Sequence, residues 1–233
     1  MTIPASVPKQ VLNELRSHIV GACDLAAEGF PSAKGREDAV TGALGERLRL
    51  KEKLVAVDGA GTWKISISWN KFRSAKSGSG EEREIGADGI IQFELFREYG
   101  EEVYTKGMLF QAKMENDSDY QRLHRQCTHM EELARRSSSV IQYGRKGYKA
   151  MDGKQALDQF RRQANTMPDF TDGKPLGEYI VERFLECEVG TEKLFYEQDT
   201  ETLIVPNVND AFRRIRARLN KISIKAYAPS PIV

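Results

Sequence analysis

The 233-residue sequence lacks several features that define large classes of proteins. No apolar run approaches the roughly 20 residues that a membrane-spanning helix needs, and the N-terminus lacks the charged-then-apolar layout of a signal peptide. The three cysteines are widely spaced and form no CxxC pair, which favours reduced thiols over a disulfide framework. We therefore expect a cytoplasmic protein without a membrane partner.

Two common catalytic motifs and a strong net charge are also missing. Gly78-Ser79-Gly80 is not followed by the Lys-Ser/Thr of a phosphate-binding loop, and there is no GxSxG nucleophile motif. The net charge is +1, so no overall basic field indicates a nucleic-acid partner. A local basic patch is still compatible with a neutral total, and basic residues do cluster after residue 121 and again from residue 213.

The composition and periodicity indicate a globular α/β protein. Hydrophobic residues make up 40% and charged residues 30% of the chain, which suits a soluble globular protein. Helical spacing alternates with runs of strand-like alternation, which predicts a mixed sheet flanked by helices. Helices are predicted at 8–28, 36–50 and 119–136, and strands at 53–58, 63–69, 88–96, 106–114 and 139–143.

After Gly144 the pattern becomes weaker and mainly helical. Helices are predicted at 154–165, 176–186 and 208–222, with one short strand at 203–206. We therefore expect a core domain over residues 1–150, including the N-terminal helix, and an accessory helical segment over residues 151–233 that packs on the core.

Polar side chains interrupt two of the predicted strands. Gln111 and Lys113 share one face of a strand, while Phe110 and Ala112 point to the other. Asp88 opens the preceding apolar run. Buried polar groups are costly without partners, so an acid, an amide and an amine in one place suggest a site for a divalent cation and an activated water. The alternatives are a solvated edge strand for Gln111 and Lys113 and an Asp-Gly turn for Asp88.

A further acid, Glu37, falls on the apolar side of the predicted helix over 36–50. Carboxylates are unusual at such positions. The alternative interpretation is that Glu37 is a first-turn acid that complements the helix dipole.

Together these residues resemble the PD-(D/E)xK, or restriction-endonuclease-like, nuclease superfamily. The resemblance covers residues 36–145 and rests on Glu37 in the first core helix, Asp88 opening a strand and Gln111-Ala112-Lys113 on the next strand. The family's second acid is usually Glu, and Gln111 departs from that pattern in the manner of the QxK variants of Mrr-like nucleases. The substitution removes one negative charge from the implied metal site.

The resemblance implies metal-dependent hydrolysis of DNA phosphodiester bonds, in a bacterial restriction or antiphage setting. Asp88 would be the main ligand of Mg²⁺, with Mn²⁺ as a substitute, and Gln111 and the Ala112 carbonyl would add oxygens. Lys113 would orient the attacking water or stabilise developing charge, and Glu37 would bind a second metal directly or through water. The expected partners are DNA and either a second copy of the chain or a subunit that supplies specificity.

Three further residues are candidates for supporting contacts. Gln126 lies on the predicted helix that packs beside the active strand, although a solvated position is equally compatible with the pattern. Tyr143 and Arg145 follow the last strand of the core and are candidates for contacts with a phosphate backbone, or for an ordinary surface turn. His124, Cys127 and His129 are spread around one helix, which disfavours a zinc site and places Cys127 in the core.

A different class of function also fits the sequence. The neutral side chain of Gln111 and the small net charge are compatible with a nucleic-acid-binding or regulatory subunit that retains the nuclease fold without cleaving.

Overall fold

Alternating apolar residues and helical stripes build an α/β structure with a mixed sheet and helices against it. The computed structural model describes residues 7–30, 37–71, 85–97, 100–163, 166–186, 188–206, 212–217 and 219–229. The helices are α1 (Lys9–Glu28), α2 (Glu37–Leu48), α3 (Tyr120–Leu133), α4 (Gly153–Arg162) and α5 (Leu176–Glu178), the last continuing as a π-helix (Tyr179–Leu185).

The strands form one large sheet and one small one. They are β1 (Leu50–Val57), β2 (Gly61–Asn70), β3 (Gly89–Phe96), β4 (Glu102–Met114), β5 (Ser138–Gly144), β6 (Gly147–Asp152), β7 (Lys174–Pro175), β8 (Thr191–Glu192), β9 (Phe195–Glu197), β10 (Thr202–Pro206), β11 (Phe212–Arg216) and β12 (Asn220–Tyr227). The large sheet has the order β1-β2-β12-β3-β4-β5-β6-β7, with β8 paired to β4, and the small sheet has the order β11-β10-β9.

The large sheet is mixed, as predicted. Strand β4 runs antiparallel to β3 and parallel to β5, and α3 forms the crossover between β4 and β5. Because parallel neighbours end at the same edge, the carboxyl ends of β4 and β5 lie together there. The start of β3 joins them, since Gly89 is paired with Phe110. This edge of the sheet carries the candidate site.

Helices cover both faces of the large sheet, because successive strand residues point to opposite sides. Phe110 and Ala112 of β4 join the core built with α1 and α2, whereas Leu109 joins the core built with α3 and α4. Cys127 lies in the second core, as its place in the apolar stripe predicts. Across the ranges that the structure describes, no helix has the length and apolar character needed to cross a bilayer.

The prediction of a mainly helical C-terminal segment is wrong. In place of a helix over 208–222, the structure has β11 and β12, and residues 207–211 lie outside the described ranges. The spacing of Phe212, Ile215, Leu219 and Ile222 suits a helix, but Ile222, Ser223 and Ile224 also alternate with the period of a strand. Pairing of β12 with β2 and β3 decides between the two patterns and inserts it into the large sheet.

The other predicted elements after Gly144 are confirmed. The helices expected at 154–165 and 176–186 correspond to α4 and to α5 with its π-helical extension, and the strand at 203–206 corresponds to β10.

Candidate active site

The backbone of Asp88 is held from both neighbouring strands, immediately before β3 begins. Its N–H donates to the carbonyl of Phe110 on β4 at 2.9 Å. Its carbonyl accepts from Asn220 on β12 twice, from the backbone N–H at 3.1 Å and from the side-chain Nδ2 at 3.0 Å. These bonds fix the backbone position from which the Asp88 side chain extends, independently of any ligand.

Two glycines allow the chain to reach this position. Gly86 has a φ of +72°, and a Cβ there would stand 2.5 Å from the backbone carbonyl oxygen of Gln126. A Cβ on Gly89 would stand 2.6 Å from the carbonyl oxygen of Asn220. Any larger residue would therefore push the loop that carries Asp88 away from α3 and β12.

The Asp88 carboxylate faces the Gln111-Ala112 segment of β4. Its Oδ2 accepts a hydrogen bond from the Gln111 Nε2 at 2.5 Å and another from the Ala112 N–H at 2.8 Å. The same Gln111 Nε2 lies 3.2 Å from the Ala112 carbonyl oxygen. The amide NH₂ group of Gln111 thus occupies the point on which two of the predicted oxygen ligands converge.

The other end of the Gln111 amide is buried and unsatisfied. Gln111 has 0% of its surface exposed, and its Oε1 has no hydrogen-bond partner among the described residues. A buried acceptor without a partner costs free energy. Since the NH₂ end stands where a cation would be held by Asp88 and Ala112, a half-turn of the amide would present Oε1 to that cation instead. The residues present therefore fit an oxygen-liganded divalent ion.

Lys113 is buried between two acids. Its side chain is 4% exposed, and Nζ lies 3.8 Å from Glu37 Oε2 and 3.6 Å from Asp117 Oδ2. An ammonium group taken out of water needs such partners. The interpretation of Gln111 and Lys113 as a solvated edge strand is wrong, because β4 lies between β3 and β5 and both side chains are buried.

Glu37 begins α2 and points toward this cluster. Burial and, to a lesser degree, the negative charge of Asp88 raise its pKa to about 7, while the positive charge of Lys113 acts in the opposite direction. Both sequence interpretations hold in part, since Glu37 is a first-turn acid that also faces the site. Two carboxylates that oppose each other's ionisation favour a cation between them.

The cluster reaches the surface at Glu37, whose side chain is partly exposed. An open depression of about 480 Å³ is lined by Glu37, Asp38, Ala39 and Lys71. Glu37 thus borders both the buried cluster and this open depression.

The three supporting candidates have different environments. The Oε1 atom of Gln126 is buried without a hydrogen-bond partner among the described residues, and its backbone packs on Gly86, two residues before Asp88. Tyr143 lies in the core with its hydroxyl 3.1 Å from that of Thr41, which leaves it no surface for a phosphate contact. Arg145 is on an exposed turn, 3.9 Å from Glu115.

Two residues of the cluster were not predicted from the sequence. Asp117 lies in the segment between β4 and α3, where an acid resembles ordinary turn and capping chemistry. Asn220 belongs to the segment that was expected to be helical and accessory. Only the pairing of β12 with β3, which the sequence pattern did not predict, brings Asn220 to Asp88.

The candidate ligand set is unlike a site built from many acidic or imidazole side chains. Within the described ranges, no group of three or more His, Cys, Asp and Glu side chains is arranged to hold a metal ion. The set here has two carboxylates, Glu37 and Asp88, with neutral oxygens from Gln111 and Ala112. Such a set suits a hard cation that retains water molecules.

Comparison with protein-family models, curated proteins and solved structures finds no match to this chain.

Proposed function

We propose that the protein is a metal-dependent endonuclease that hydrolyses phosphodiester bonds of DNA. The observation that supports this best is the convergence on Gln111, whose Nε2 lies 2.5 Å from Asp88 Oδ2 and 3.2 Å from the Ala112 carbonyl. Its buried Oε1 lacks a partner among the described residues, and Lys113 lies two residues along the same strand. The resemblance to PD-(D/E)xK nucleases assigns these positions to cation binding and phosphate chemistry.

In this proposal the residues of the cluster have different roles. Asp88 and Glu37 would hold Mg²⁺ or Mn²⁺ with their carboxylates, and Gln111 and Ala112 would add neutral oxygens. When bound, the cation supplies neutralisation of the phosphate charge and activation of a water. Lys113 would donate hydrogen bonds to the attacking water or to a phosphoryl oxygen, where negative charge grows in the transition state.

The setting and the assembly follow from the same resemblance. We propose a role in restriction or antiphage defence, with the chain acting as a homodimer or beside a subunit that supplies sequence specificity. Arg145, exposed on the β5–β6 turn, is a candidate for contact with the DNA backbone.

One observation favours a second candidate, a nucleic-acid-binding or regulatory subunit without catalysis. The Asp88 carboxylate accepts two hydrogen bonds from β4, so a neutral residue at position 111 satisfies it without any ion. In a subunit of this kind the fold would persist while cleavage was lost.

Cleavage of a supercoiled plasmid with Mg²⁺ or Mn²⁺ separates the two candidates. The enzyme predicts nicking or linearisation that EDTA abolishes and that Asp88→Asn and Lys113→Met both lose. Asp38→Asn removes an exposed acid from the same helix turn as Glu37 and serves as the matched control, which should retain activity. A folded wild type that binds DNA and cleaves none of the DNA substrates tried would favour the binding subunit.

A further inference from the structure

Lys113 has more negative charge around it than one lysine requires. Its Nζ lies 3.8 Å from Glu37 Oε2 and 3.6 Å from Asp117 Oδ2. Only 4% of the lysine side chain is exposed, compared with 29% for Glu37 and 24% for Asp117. A buried ammonium with a single carboxylate partner would lose its compensation whenever that partner turned elsewhere.

Asp117 is held in place by the backbone and not by the lysine. Its N–H donates to the Met114 carbonyl at 3.0 Å, which closes the turn after β4. Its Oδ1 accepts from the Asp119 N–H at 2.9 Å, and Asp119 in turn caps α3 through the Arg122 N–H at 3.0 Å. The second oxygen, Oδ2, is thereby directed at Lys113 before any ligand arrives.

The carboxylates of Glu37 and Asp117 have different neighbours besides Lys113. Glu37 lies close enough to Asp88 for the two charges to interact, whereas Asp117 is bonded through Oδ1 to the Asp119 N–H. Glu37 is therefore the acid with which the proposed site would engage a cation at Asp88. Once it does so, Lys113 keeps Asp117 as its remaining acid.

We infer that Asp117 is a positioning residue that holds Lys113 in its reactive place after Glu37 has engaged the cation. This inference rests on the proposed nuclease function and assigns a role to a residue in the connection between β4 and α3.

Asp117→Asn tests the inference, because asparagine keeps the oxygen that accepts from Asp119 and removes the charge that faces Lys113. With enzyme in excess over supercoiled plasmid, we expect the maximal cleavage rate to fall by roughly 10- to 100-fold, as for other residues that orient reactive groups. The protein concentration that gives half the maximal rate should change by no more than about twofold, as should the Mn²⁺ affinity measured by calorimetry, because Asp117 is not a ligand.

Two comparisons isolate the role of Lys113. Asp38→Asn removes an acid of the same edge that makes no ion pair with Lys113 in the described structure, and it should leave the rate within about twofold. In a Lys113→Met background, Asp117→Asn should have no further effect on the residual rate, because residues that act through one another are not additive.

The outcomes distinguish this inference from the function on which it rests. A wild type that cleaves nothing overturns both. An active wild type with Asp117→Asn as fast as Asp38→Asn overturns the inference alone. So does a parallel loss of Mn²⁺ affinity, which would make Asp117 a ligand, or a further loss of rate in the Lys113→Met background.

Discussion

Strand β3 carries one cluster of charged side chains at Glu94 and begins at a second cluster around Asp88. The two clusters contain similar residues and differ in how completely their hydrogen bonds are satisfied. In the first, the buried Glu94 accepts from Gln92 Nε2 at 2.9 Å and from Ser223 Oγ at 2.5 Å, and it lies 3.2 Å from Lys225 and 3.6 Å from Lys221. In the second, Asp88 and the residues around it include an amide oxygen without a partner in the described structure.

The two clusters also differ in their balance of positive and negative charge. Glu94 is one acid facing two lysines, whereas Lys113 is one lysine facing two acids, with Asp88 close to Glu37. A closed network of hydrogen bonds and charges stabilises a fold and needs no ligand. An incomplete network with excess negative charge is stabilised by a cation. The comparison teaches that burial alone does not identify a site, and that unsatisfied chemistry is the better indicator.

The largest effect should follow from Asp88→Asn. This change removes the carboxylate that we propose as the main ligand and preserves its shape. We expect plasmid cleavage to fall by at least about 1,000-fold, since several kcal/mol of charge stabilisation would be lost. Thermal unfolding should be little affected, because the amide can still accept from the Ala112 N–H. A variant that cleaves at the wild-type rate would remove Asp88 from the site.

Glu94→Ala should have the opposite effect to Asp88→Asn: it should lower the stability of the fold and leave Mn²⁺ affinity unchanged. It leaves two lysines and the side chains of Gln92 and Ser223 without their common partner, and we expect a loss of about 3 kcal/mol in the free energy of unfolding. Urea denaturation measures this loss. At temperatures where the variant is folded, Mn²⁺ affinity should match the wild type, and a selective loss of affinity would make the Glu94 cluster part of the site.

Both the stability of the fold and the Mn²⁺ affinity of the Asp88 cluster should depend on pH, because burial raises the pKa of Glu37 to about 7. The folded chain keeps a proton between pH 4.5 and 7 that the unfolded chain has lost, so stability from this group is present at low pH and is lost as the pH rises through 7. In the proposed site Mn²⁺ would bind the ionised form of Glu37, so we expect the affinity to rise about tenfold between pH 6 and pH 8.

Calorimetric titrations with Mn²⁺ across this pH range provide the measurement. Glu37→Gln should flatten the profile, since its side chain does not titrate. A wild-type profile that is already flat would show that Glu37 does not take part in binding the ion.

Local sequence patterns predict some residues of the candidate site, and contacts between distant segments determine others. Asp88, Gln111 and Lys113 were found because strand alternation is local, and it places two polar side chains on one face of a buried strand. The helix start at Glu37 and the order of β3, β4, α3 and β5 were accessible for the same reason.

The remaining parts depend on long-range pairing. The segment 212–222 has apolar residues at both helical and strand spacing. Pairing of β11 with β10, and of β12 with β2 and β3, decides in favour of strands. Asn220 reaches Asp88 through that pairing across the sheet. Asp117 is a different case, because it lies only four residues after Lys113. Strand β4 ends between the two residues at Met114, so neither helical nor strand spacing relates them.

The smallest of these effects concerns Asn220. Asn220→Ala removes one of the two hydrogen bonds on the Asp88 carbonyl and keeps the backbone bond, so we expect a loss of about 1 kcal/mol, or about fivefold in Mn²⁺ affinity. Ser223→Ala, also on β12 but within the Glu94 cluster, is the matched control and should lower stability without changing affinity. If Asn220→Ala and Ser223→Ala had equal Mn²⁺ affinities, the Asn220 side chain on β12 would have no role in cation binding.

The most direct test of the account is a calorimetric titration of the folded wild type with Mn²⁺ at pH 8, beside Asp88→Asn and Glu94→Gln. The account predicts saturable binding that Asp88→Asn abolishes and that Glu94→Gln retains. No binding by the wild type, or binding that survives Asp88→Asn, would contradict the assignment of Asp88, Gln111 and Glu37 as a cation site.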